Sequence, residues 1–179
     1  MRLKMISRSL YKKARQIKLA AFDVDGVLTD GKLYFSAKGD EMKAFNILDG
    51  LGIKMLMNNG IDVALITGRQ SPLTEKRAID LGIKHLIQGR EDKLVALKEL
   101  IGQLAIDLRQ AAYIGDDLPD LPAIRAAALG ITVANGHPFV KQHADWCTNT
   151  SGGTGVAREV ADLILDAQDR LTGIHESYL

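Results

Sequence analysis

The sequence predicts an α/β fold: a Rossmann-like parallel sheet with helices on both faces, a β-hairpin inserted after the first strand, and no separate cap domain. Three observations carry this. Short apolar runs, each of a length suited to a buried strand, recur along the chain and alternate with segments of helical character. One early pair of extended runs flanks a Gly-containing turn instead of a helix. The remaining gaps are too short to hold a second folded unit, so residues 1–179 are read as one domain.

Each element follows in order. Residues 1–15 carry Arg2, Lys4, Arg8, Lys12, Lys13 and Arg15 with no acid, and are read as a basic, solvated N-terminal helix. Ile17 to Val24 is a buried strand that ends on acids. Leu33 to Ser36 and Met42 to Phe45 form the hairpin, placed within residues 31–46. Leu51 to Met57 is a helix closed by Gly60. Ile61 to Thr67 is the second buried strand, and Pro72 opens a helix that Gly82 ends. Ile83 to Ile87 is a strand, Asp92 to Ile101 a helix, Ala111 to Ile114 a strand and Leu118 to Leu129 a helix. Ile131 to Ala134 and Asp145 to Cys147 are further strands, and a helix from Val156 to about Asp169 finishes the pattern.

Composition narrows the function classes. The chain has 179 residues, 46% of them hydrophobic, enough for a core without disulfides. The single cysteine, Cys147, allows no intrachain disulfide and agrees with a cytoplasmic location. No apolar run approaches the ~18–20 residues of a membrane span. The net charge is +1. The basic start lacks the apolar stretch of a signal peptide, so an amphipathic transit peptide is the competing reading there. It also lacks interleaved aromatics beyond Tyr11, which argues against a nucleic-acid surface.

In open parallel sheets ligands bind beyond the carboxyl ends of the strands. Those ends carry Asp23 and Asp25, then Thr67-Gly68-Arg69, then Lys93, then Asp116-Asp117 with Asp120. Carboxylates, a hydroxyl and an ammonium on one rim suit phosphoryl transfer. A carboxylate can attack phosphorus. Thr67 and Lys93 can hold the non-bridging oxygens. Crowded carboxylates call for a hard dication such as Mg²⁺. Asp25, swung round by the turn at Gly26, can serve as acid and then base. Singly, each of these groups has a structural explanation as a cap, a salt-bridge partner or a solvated lysine; the ordered combination outweighs it. Two-component receiver domains also combine clustered Asp, Thr and Lys. There the Thr and Lys follow both acidic positions, whereas Thr67 and Lys93 here fall between them.

With these residues in order, the sequence resembles the haloacid dehalogenase superfamily of phosphatases. Its first motif, DxDGxxTD, is met by Asp23 to Asp30, its second by Thr67, its third by Lys93 and its fourth, GDDxxD, by Gly115 to Asp120. A narrower resemblance, to the 3-deoxy-D-manno-octulosonate 8-phosphate phosphatase subfamily, rests on five stretches. They are Thr29-Asp30-Gly31-Lys32-Leu33, Lys43 to Asn46, Asp49 to Ile53, Thr67-Gly68-Arg69, and Gly152-Gly153-x-Gly155 with Arg158-Glu159. The resemblance implies that Asp23 is the nucleophile and Asp25 the general acid/base. It implies Mg²⁺ on Asp23, the Asp25 carbonyl and Asp116. Asp117 is expected to orient a metal-bound water or Lys93, Asp120 to support the site, and Arg69 to meet the substrate carboxylate. The implied substrate is a small sugar-acid phosphate of lipopolysaccharide precursor synthesis. A phosphatase of a related nonulosonate phosphate and a non-catalytic phosphatase-like module for oligomerisation or regulation are the alternatives. The chain departs from the subfamily pattern at Leu48 and Thr154, where basic residues often stand; both are expected to line the mouth of the site, as is the Gly152–Gly155 loop.

No lid fits between Asp30 and Thr67 or between Arg69 and Lys93, which would leave the site open to water. The hairpin is apolar at Leu33, Phe35, Met42 and Ala44 and leaves an unpaired edge. Pairing of hairpins between subunits would solve both problems, and the subfamily is known for tetramers, so a homotetramer joined through the hairpin is expected. His85, His137, His143 and His175 lack metal-ligand spacing. Trp146 and Cys147 are read as core of the last strand, and Met55 and Met57 as helix packing.

Overall fold

The computed structural model describes residues 7–179. The first basic residues, Arg2 and Lys4, lie outside the described residues. The helices and strands are α1 (Arg8–Ala14), β1 (Leu19–Phe22), β2 (Tyr34–Phe35), β3 (Glu41–Met42), α2 (Ile47–Asn58), β4 (Asp62–Ile66), α3 (Pro72–Leu81), β5 (His85–Ile87), α4 (Lys93–Leu104), β6 (Ala111–Gly115), α5 (Leu121–Ala126), β7 (Leu129–Thr132), α6 (Pro138–Lys141), β8 (Trp146–Cys147), α7 (Val156–Ala167) and α8 (Leu171–Glu176). Short 3₁₀ turns at Leu108–Gln110 and Leu118–Asp120 precede β6 and α5.

Six strands form one parallel sheet in the order β5-β4-β1-β6-β7-β8. β1 lies at its centre, paired to β4 from Leu19↔Asp62 to Phe22↔Leu65 and to β6 from Leu19↔Ala111 to Phe22↔Ile114. All four β1 residues are buried because helices cover both faces. Phe22, Ile114 and Leu65 point to the layer of α1, α2 and α7, while Ala21, Tyr113 and Ile66 point to the layer of α4 and α5. The chain reverses its direction of winding between β1 and β6, and this is where such sheets open a crevice.

The tightest helix pair is α2 against α7. Gly52 allows it: a Cβ there would fall 2.5 Å from the Arg158 Cα and 2.8 Å from the Ala157 carbonyl oxygen. Asp49, one turn earlier, is buried and accepts 2.7 Å from the Ala157 N–H, capping α7 from outside its own segment. Burial pushes the Asp49 carboxyl up to about 6, against the backbone N–H bonds of the α7 start that pull it down.

The expected helix at Leu118–Leu129 is corrected: a 3₁₀ turn leads into a shorter α5, and β7 already begins at Leu129. The Pro119 ring and the Asp117–Asp120 capping box favour the tight turn there. Cys147 is exposed, not core, because β8 is an edge strand. Met55 is buried and Met57 packs on the core, as helix packing requires. α1 docks through Leu10 and Ala14, with the Tyr11 hydroxyl donating to Asp166 and Lys13 pairing with Asp145, and leaves Lys12 exposed. α6 and α8 had no sequence signal long enough to read. No helix among the described residues is long and apolar enough to cross a membrane.

Candidate active site

The last parallel rung of β1 places the first acid. The Asp23 N–H donates to the Ile114 carbonyl at 2.9 Å, so Asp23 leaves the sheet beside the end of β6. The chain then folds back on the Val24 carbonyl, which accepts from Leu28 at 2.9 Å and Thr29 at 3.1 Å. The buried Thr29 hydroxyl accepts from Gly26 and Gly31, both at 3.3 Å, and closes the loop. Gly26 adopts φ +93°, and a Cβ there would meet the Asp116 Oδ2 at 2.2 Å. Glycine therefore lets the β6 acid lie directly over the β1 loop.

Lys93 and Asp120 join the remaining strand ends to this loop. Lys93 is the first residue of α4 and is buried; its ammonium lies 2.8 Å from Asp23 Oδ2 and 2.7 Å from Asp120 Oδ1. Asp120 Oδ1 also accepts the Tyr113 hydroxyl at 3.0 Å, and its Oδ2 accepts the N–H groups of Asp116 at 3.0 Å and Asp117 at 3.2 Å. Asp120 is thus saturated and acts as a brace. Thr67 is buried at the end of β4, and its hydroxyl accepts from the Arg69 N–H at 3.3 Å. Asp23, Asp25, Thr67, Gly68, Arg69, Lys93, Asp116, Asp117 and Asp120 all border one cleft of about 190 Å³. That is below the roughly 300–1,000 Å³ of pockets that enclose a drug-sized ligand, so it suits a phosphoryl group better than a whole sugar acid.

The electrostatics ask for a cation. Asp23, Asp116 and Asp120 present oxygens within 4.8 Å of one another, and Lys93 is the ammonium among them. Burial, and then repulsion from Asp120, push Asp23 well above the usual carboxylate range despite Lys93. The same two causes push Asp116 up to about 7. Burial works against the Lys93 charge, but Asp23 and Asp120 outweigh it and raise its pKa. Asp23 Oδ1 is buried without a hydrogen-bond partner. Three carboxylates with one ammonium leave two uncompensated negative charges, and oxygen donors with an orphaned carboxylate oxygen fit a hard divalent ion.

Two expectations change, and Arg69 has partners of its own beside the cleft. Asp117 does not hold Lys93: it is exposed and caps the 3₁₀ turn through the Leu118 N–H at 2.8 Å, and Asp120 takes the Lys93 contact. Arg69 donates to Glu41 at 2.8 Å and sits 3.9 Å from Asp25, so both acids hold it. Leu48 and Thr154 do not line the cleft; the 152–155 loop packs behind the β1 loop, with the Gly153 N–H on the Val27 carbonyl at 2.9 Å. The residues missed were Lys43, whose ammonium bonds Asp25, together with Glu41, which holds Arg69, and Glu91 at the cleft. Alternation from Glu41 to Lys43 was the signal available for the first two.

A sheet with its crevice at the β1–β6 reversal, rimmed by Asp23, Asp25, Thr67, Lys93 and Asp116, defines a haloacid dehalogenase-like hydrolase. The family model of that description matches residues 83–160. The 3-deoxy-D-manno-octulosonate 8-phosphate phosphatase KdsC of Yersinia pestis is 48% identical over 94% of this chain and 90% of its own length. A probable YrbI family phosphatase from Pseudomonas syringae superposes with a TM-score of 0.94 at 54% identity, covering 96% of this chain and 98% of the other. The 3-deoxy-D-manno-octulosonate 8-phosphate phosphatase of Moraxella catarrhalis, solved with magnesium ion, phosphate ion and KDO, superposes with a TM-score of 0.95 at 46% identity, covering 97% and 100%. The chain belongs to the 3-deoxy-D-manno-octulosonate 8-phosphate phosphatases, phosphoric monoester hydrolases of the haloacid dehalogenase-like class.

Proposed function

We propose that this enzyme hydrolyses 3-deoxy-D-manno-octulosonate 8-phosphate to the free acid, a lipopolysaccharide precursor, and phosphate, through a phospho-aspartate on Asp23. The observation that carries the chemistry is that Asp23, which borders the cleft, keeps Oδ1 without a hydrogen-bond partner while Lys93 holds Oδ2. Asp23 attacks phosphorus, the ester P–O bond breaks, and Asp25 gives its proton to the departing sugar oxygen. Asp25 then takes a proton from water, which attacks phosphorus and breaks the bond to Asp23. Thr67 and Lys93 hold the non-bridging oxygens through both steps. Mg²⁺, held by Asp23, Asp116 and the Asp25 carbonyl, supplies positive charge that lets an anionic nucleophile approach an anionic phosphate.

The small cleft supports a substrate whose sugar body lies outside it, towards Arg69 and the hairpin. There the exposed Phe35 and Met42 support a homotetramer in which a neighbour closes the site. The single thiol suits the reducing cytoplasm to which we assign the enzyme. The test is phosphate release over a panel of sugar and sugar-acid phosphates, with the octulosonate 8-phosphate expected to be preferred. Preference for a nonulosonate 9-phosphate would reassign the substrate. Asp23→Asn should abolish both turnover and acid-stable labelling by phosphate; retained turnover would exclude the nucleophile.

A further inference from the structure

The hairpin carries a second lysine–carboxylate pair that mirrors the first. Lys93 holds one oxygen of Asp23 and leaves the other unpartnered. Lys43, just past β3, places its ammonium on Asp25 Oδ1, and Asp25 Oδ2 is likewise buried without a hydrogen-bond partner. The Lys43 side chain is only 3% exposed, although it hangs from a hairpin whose Phe35 and Met42 are 59% and 60% exposed. Strand alternation explains the contrast. Glu41 and Lys43 point inward and Met42 points out. Glu41 accepts 2.8 Å from Arg69 and 3.1 Å from the Ser71 hydroxyl, pinning the strand beside the site.

This hairpin has little else to hold it. Its ladder pairs only Tyr34 with Met42 and Phe35 with Glu41, and it makes no rung with the six-stranded sheet. A two-stranded ribbon of that size is marginal alone. Its two inward charges, one of each sign, meet Arg69 and Asp25 of opposite sign, so docking of the strand and orientation of Asp25 are one event. We propose that Lys43 is a positioning residue for the proton-transfer step: it fixes Asp25 by Oδ1 and leaves Oδ2, which has no hydrogen-bond partner and lies 3.9 Å from the Arg69 Nε, to exchange protons with the departing and attacking oxygens. This deepens the reaction proposed above and rests on the acid/base role of Asp25 stated there.

Leaving groups separate positioning from structure. An alkyl phosphate needs a proton on its departing oxygen, whereas p-nitrophenolate departs without one. Hydrolysis of the aspartyl phosphate needs Asp25 as base with either substrate. Lys43→Met is therefore expected to lower kcat on the octulosonate 8-phosphate by about 100-fold, the scale of a misplaced catalytic group. With p-nitrophenyl phosphate and Mg²⁺ it should release one equivalent of p-nitrophenolate per site in a fast burst, followed by slow turnover. Asp25→Asn serves as the reference and should show the same burst. If Asp25→Asn turns over freely, the acid/base reading itself falls. If Asp25→Asn bursts but Lys43→Met loses activity equally on both substrates without a burst, or only raises KM, the role of Lys43 alone is overturned. Lys43→Gln, which keeps a donor on a shorter arm, must show the same split between substrates should the methionine variant fail to fold.

Discussion

Removing Mg²⁺ at two pH values tests the charge arrangement most directly. Without a dication, burial and Asp120 hold the Asp116 carboxyl up at about 7, and the same causes raise Asp23. An acid raised on folding stabilises the native state below its unfolded value, and that stabilisation is lost as pH rises through the folded value. The chelated protein should therefore melt at a lower temperature at pH 8 than at pH 5. Mg²⁺ must displace the proton, so two pH units below about 7 its apparent affinity drops by about 100-fold. At pH 8 and 100-fold over Kd the ion adds about 2.7 kcal/mol, and the same concentration at pH 5 adds only about 0.4 kcal/mol. For a chain of this size that is a rise of roughly 5–10 °C against about 1 °C. Thermal melts with EDTA or Mg²⁺ at both pH values measure it. A Mg²⁺ shift as large at pH 5 as at pH 8 would refute the reasoning, as would a chelated protein that gains stability towards pH 8.

Asp120→Ala should cost about 3–5 kcal/mol in urea unfolding, since it removes one of the two carboxylates on the buried Lys93 and leaves the Tyr113 hydroxyl and the Asp116 and Asp117 N–H groups without their acceptor, and activity should fall with it. Gly52→Ala should cost about 1–3 kcal/mol by forcing α2 off the α7 backbone, with kcat on p-nitrophenyl phosphate little changed at a temperature where the variant is folded. Phe35→Glu with Met42→Glu, the two most exposed apolar residues of the hairpin strands, should shift the proposed tetramer to smaller species in sedimentation. An unchanged tetramer would place the interface elsewhere.

The fold was legible where periodicity was strong. β1, β4 and β6 are short apolar runs buried on both faces, and their parallel order followed from the helices between them. Short elements carry ambiguous sequence patterns. The Leu118–Asp120 turn looked helical because its Pro and acids are the residues that also start a helix, and only the capping geometry separates the two. Cys147 looked buried because apolar composition cannot tell an edge strand from a central one.

The site divides along the same line. Asp23, Thr67, Lys93 and Asp116 were legible because strand ends converge whatever the side chains do beyond them. Glu41 and Lys43 were not, since their partners Arg69 and Asp25 are joined to them only by how the hairpin folds over the rim. Charge makes that fold specific. Reversing either inward residue would set like charges together at Arg69 or at Asp25, and shifting the strand by one residue would turn Met42 into the site and both charges out. The hairpin can therefore dock in one register, and that register is the one that leaves Asp25 Oδ2 without a hydrogen-bond partner. The first motif supplies the acid, but a strand some eighteen residues later decides where it points.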